Sequence, residues 1–172
     1  KLRTKLKGKY NLRDLDKAVK HEVMKFKSYG NKENQTLKLD NIDLNGAILP
    51  KGWVVSMKDG VQKIIRGTNA DELVQVCVCP VIISRRFKNI DDGMYKVEVT
   101  FFNDGKWQSI IASRSHVFNR ATIVKFADSG LPVSSGNATD MVKYLFEYEG
   151  INESKIPFVK SISRIGWINN NE

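Results

Sequence analysis

The stretch VQVCVCPVIISRRFKNI, residues 74–90, holds both cysteines of the chain, a proline, and then the basic cluster Arg85-Arg86-x-Lys88. It reads either as a working site or as a strand with a charged end. Strand side chains repeat every second residue, so Cys77 and Cys79 share one face. A zinc site would need at least two further soft ligands. The chain has no other cysteine and only His21 and His116. Free cysteine is among the most buried residue types, so core burial is expected here. The nearby Val76, Val78 and Val81 are also apolar, which predicts a strand covered on both faces. Residues 73–85 therefore read as one long strand, with Pro80 marking an edge or a bulge.

Strand periodicity continues on both sides. Trp53-Val54-Val55-Ser56-Met57 runs through Lys58-Asp59-Gly60 into Val61-Gln62-Lys63-Ile64-Ile65. Asp-Gly between apolar runs predicts a hairpin, because glycine accepts the positive φ of such turns. Residues 95–102 alternate Tyr95, Val97, Val99 and Phe101 against polar partners, and Asn103-Asp104-Gly105 turns them into a strand carrying Trp107. Asn119 is placed to cap a helix that stops at Gly130. Asn137, with Asp140 three residues on, is placed to cap a second that stops at Gly150. The segment IPFVKSISRIGWI returns to strand character. Hairpins, two helices and a final strand predict an α+β fold: an antiparallel or mixed sheet with two helices packed on it.

Ahead of this domain, Leu12, Leu15, Val19, Val23 and Phe26 recur at steps of three and four, which predicts an amphipathic helix from an Asn11 cap towards Gly30. The polar stretch GNKENQT then marks a boundary, giving an arm over residues 1–36 and a domain over 37–172. Residues 1–38 carry 12 Lys/Arg against 4 Asp/Glu, whereas the remainder carries 16 against 15. The net charge of +9 thus belongs mainly to the arm. Two cysteines make no disulfide scaffold, so an intracellular, cytoplasmic setting is expected. No apolar run reaches the roughly 18 residues of a membrane span. An opening of KLRTKLKGKY suggests a piece of a longer protein.

The chain has no G-x-x-x-x-G-K-[ST] loop and so no recognisable nucleotide-hydrolysing motif. Ser115-His116 lacks an acidic partner at a motif spacing. Asn41 to Gly46 begins like a calcium loop, but Gly52 stands where the bidentate glutamate belongs. No cofactor is expected. What remains is basic. Lys5, Lys7, Lys9 and Arg13 on the arm can meet phosphate through charge. Arg85, Arg86 and Lys88, joined by Arg114 and Arg120, can form a patch near the turns. Aromatic residues interleave poorly with these positions, which argues against a stacking platform for single strands.

From Pro50 onward several landmarks occur in order. They are Pro50-x-Gly52-Trp53, Gly60-Val61, Cys79-Pro80-Val81-x-Ile83-x-Arg85 and Tyr95-x-Val97-Glu98-Val99-x-Phe101, followed by Trp107, Arg114, Gly130-Leu131-Pro132-Val133 and Arg164-Ile165-Gly166-Trp167. This region resembles the N-terminal part of the Cch-like (cassette chromosome) helicases of phages, plasmids and staphylococcal cassette elements, a family catalogued as a domain of unknown function. The resemblance covers about residues 50–168. It implies a domain that precedes a P-loop ATPase in a replicative helicase, and it carries over no catalytic residue.

The leading expectation is a noncatalytic accessory domain that docks on the ATPase domain of the same protein. DNA and a second copy of the chain are further candidate partners, and Arg164 joins the candidate contacts. The alternative is a metal-dependent nuclease or primase-like enzyme using Asp91, Asp92, Glu98 and Asp104, since such chemistry needs converging carboxylates. A protein-interaction module exposing Trp53 or Trp167 is a third reading.

Overall fold

A computed structural model describes residues 39, 46–68 and 70–161. The arm with Lys5, Lys7, Lys9 and Arg13 lies outside the described residues, as do Arg164 and Trp167.

Two sheets share one core. Strands β1 (Trp53–Ser56), β2 (Gly60–Ile65) and β3 (Glu72–Cys77) form an antiparallel sheet in that order. Strands β4 (Val81–Asn89), β5 (Tyr95–Asn103), β6 (Lys106–Ser113) and β7 (Phe158–Ser161) form a mixed sheet ordered β6-β5-β4-β7, with β7 parallel to β4. The helices are α1 (Arg114–Val117), α2 (Arg120–Ile123) and α3 (Ala138–Ile151), and a 3-10 segment (Val124–Ser129) follows α2. This is the expected α+β class. Among the described residues no helix is long and apolar enough to cross a membrane.

Both hairpins form where the glycines predict them. Gly60 takes φ 68°, and Asp104 and Gly105 take φ 51° and 73°. The stretch at 74–90 departs from its reading. It is two strands in two sheets, not one long strand, and it breaks at Val78-Cys79-Pro80. Proline cannot donate to a ladder, so pairing ends there and the chain passes between sheets. Cys77 and Cys79 are core residues as expected, but Val78 is 59% exposed and the strand is not covered on both faces.

Helix α3 ties the sheets together. The Trp53 ring lies 5.2 Å from that of Tyr144, and Trp53 Nε1 donates to Glu147 at 2.7 Å. Tyr144 Oη in turn donates to the Val81 carbonyl at 2.7 Å. Trp53 is thus buried in the core, contrary to the third reading. Gly150 does not stop the helix. It runs on to Ile151, and the fully buried Asn152 ends it, with its side chain bridging Ile48 N and O at 2.8 Å each. Nor does the Asn137 side chain cap α3; it reaches the Gln75 carbonyl at 3.5 Å. Asn119 caps α2 as predicted, accepting from Ala121 N.

Candidate functional site

The ladder between β4 and β5 slips at Ser84, between Ile83 and Arg85. Unbroken alternation would put Arg85 on the face of Val81 and Ile83. With the bulge, Arg85 pairs with Glu98 and Arg86 pairs with Val97. Val97, Val99 and Phe101 form the buried, helix-covered face. Arg86 is therefore turned towards the helices and Arg85 away from them. Bulges commonly re-aim side chains in this way. Ser84 fixes the slip by donating to Glu98 Oε2 at 2.8 Å and bonding Thr100 Oγ1 at 2.7 Å.

Beyond the C-terminal end of α3 the same face of the mixed sheet opens into a groove of about 620 Å³. Arg86 and Phe158 from β4 and β7 line it, with Tyr95 and Lys96 from β5 and Arg114 from α1. Phe146, Glu149 and Gly150 of α3, and Glu153 just beyond, complete the wall. Arg86 Nη1 donates to Glu153 Oε1 at 2.9 Å and Nη2 to the Glu153 carbonyl at 2.7 Å, while its guanidinium stands 5.5 Å from the Phe158 ring. Its Nε is buried and has no partner among the described residues. Arg114 Nη2 and Nε donate to one oxygen of the buried Glu149 at 2.7 and 3.2 Å. A buried carboxylate aims a guanidinium more firmly than an exposed one, because little water competes for it.

The basic residues read from the sequence divide accordingly. Arg86 and Arg114 meet in the groove. Lys88 stands beside it, 5.3 Å over the Tyr95 ring. Arg85 lies on the opposite face, 3.7 Å from Glu98. Arg120, at the start of α2, is exposed and does not line the groove. The expectation that aromatics avoid the basics fails in space. Tyr95, Phe146 and Phe158 are 46%, 59% and 46% exposed and join Arg86 and Arg114. These rings lie far apart in sequence, so a linear reading misses them.

The acidic residues of the enzyme reading do not converge. Asp91 and Asp92 sit in the β4–β5 turn, where Asp92 accepts from Asn89 and from Met94 N. Glu98 is mid-strand with Ser84 and Arg85, and Asp104 is in the β5–β6 turn. Among the described residues no three His, Cys, Asp or Glu side chains are grouped to hold a metal. The two free thiols lie 3.7 Å apart. Cys77 is pushed below the usual thiol range by the hydrogen bond from Cys79, and Cys79 is held far above it by the same bond and by burial.

Fold and groove together define a small two-sheet α+β domain with an arginine- and ring-lined groove at the end of α3. The chain belongs to the DUF927 family, a domain of unknown function, which matches residues 53–172. No curated protein matches it.

Proposed function

We propose that this chain is a noncatalytic accessory domain of a mobile-element or phage replicative helicase, docking on the ATPase domain of the same protein and guiding DNA past it. The observation that carries the reading is the groove. It combines three exposed rings with two arginines whose geometry is set by Glu149 and Glu153. Exposed aromatics beside ordered arginines are the usual make-up of binding hot spots. The likeness to the Cch-like helicases supplies the context of a motor domain. Its landmarks Trp53, Val61, Val81, Val97 and Leu131 are all buried, which supports a shared fold and leaves the contact surface to other residues.

The test is co-purification of this chain with the ATPase segment encoded downstream in the same gene. Complex formation that Phe146→Ala combined with Phe158→Ala abolishes is expected. A gene without a P-loop segment, or a complex indifferent to both changes, contradicts the reading. So does magnesium-dependent nuclease activity that Glu98→Gln removes.

A further inference from the structure

The open face of the mixed sheet carries cations and rings in register. Tyr95, Lys88 and Lys160 lie side by side across β5, β4 and β7, and in the next row Val97, Arg86 and Phe158 do the same. Side chains opposite one another on paired strands share a face, so one ring at each edge and three cations between and beside them lie on a surface about 10 Å wide from β5 to β7. Arg114 from α1 extends the positive side of the groove. Its two carboxylates, Glu149 and Glu153, are balanced by Arg114 and Arg86, so the charge left over on this face is that of Lys88 and Lys160.

We propose that this face binds single-stranded nucleic acid, with bases stacking on Tyr95 and Phe158 and phosphates meeting Lys88, Arg114 and Lys160. A strand's bases offer π-faces to exposed rings, and its backbone supplies an anion at every step. An acidic protein segment would meet the cations but leave the rings without a matching requirement. A duplex hides its base faces and cannot stack on the rings. The bulge at Ser84 belongs to this device, because it turns Arg86 towards Phe158 instead of towards Glu98. The inference rests on the groove being the working surface, but it does not need the ATPase contact, which the co-purification above tests separately.

The experiment titrates the 172-residue chain into a fluorescein-labelled oligothymidylate of about 12 nucleotides, within the usual site size. Tyr95→Ala and Phe158→Ala, both at exposed rings, each weaken binding about tenfold, and Tyr95→Phe restores it. Arg114→Ala lowers the slope of log affinity against log salt by about 0.7. Neutralising Lys5, Lys7, Lys9 and Arg13 together leaves the ring dependence intact. Ultraviolet cross-linking of a bromouracil-substituted strand to the unaltered chain, mapped by mass spectrometry, gives an answer free of any folding defect, and adducts at Tyr95 or Phe158 are expected. No binding at low salt, binding indifferent to both ring variants, or adducts confined to the arm would overturn the proposal. Displacement by a duplex or by an acidic peptide as readily as by a competing single strand would do the same.

Discussion

Glu149 is the residue on which the groove's electrostatics turn. Its carboxylate is buried and receives two N–H bonds from Arg114, whose own side chain is 42% exposed. Glu149→Gln keeps the shape but weakens both bonds, and solvent screening of Arg114 limits the loss. A cost of about 1–2 kcal/mol in urea denaturation is expected. Tyr144 governs the core in a comparable way. Burial pushes its phenol well above the usual range, and its hydroxyl holds the Val81 carbonyl. A raised folded value means that stabilisation is complete below about pH 10, where unfolded tyrosine ionises, and is lost as pH rises further. Stability should therefore fall between pH 10 and 11 (roughly the unfolded phenol range). Tyr144→Phe should lose about 1 kcal/mol at neutral pH yet show a shallower alkaline decline, measured by urea midpoints across that range.

At the level of elements, the hand-over between sheets depends on Gly60. A Cβ there would stand 2.2 Å from the Cys77 carbonyl oxygen and 2.5 Å from the Val78 carbonyl carbon, and φ is positive. The β1–β2 turn and the Cys77-Val78-Cys79 crossing are thus pressed together, so Gly60→Ala should cost about 3 kcal/mol or more. Gly93 has a similar φ of 69° but open space around it, so Gly93→Ala should cost only about 1 kcal/mol. Chemical denaturation of the two variants side by side checks this ratio. The same elements show what was legible in the sequence. Turn chemistry located both hairpins, because Asp-Gly pairs act locally. Periodicity could not show that residues 74–90 change sheets, because the apolar run continues unbroken from Val76 across Pro80 to Ile83. The end of α3 was equally hidden, since Asn152 stops it through a bond to Ile48, more than a hundred positions away.

For the whole molecule, the candidate site was legible only in part. Arg86 and Arg114 were visible as basic residues, but Arg85 looked equivalent to Arg86 until the bulge separated them. Tyr95, Phe146, Phe158 and Lys160 passed as ordinary strand and helix residues, because their common feature is adjacency created by folding. The central claim is that the face bounded by β5, β4, β7 and the end of α3 is where this domain meets its ligand. Side-chain NMR of the chain, recorded with and without oligothymidylate, tests it most directly. The account predicts that the ring signals of Tyr95, Phe146 and Phe158 shift together with the Arg86 and Arg114 guanidinium signals, while Trp107 and Arg85 on the far side stay fixed. Shifts confined to Arg85, Glu98 and Trp107, or to the arm, would contradict it.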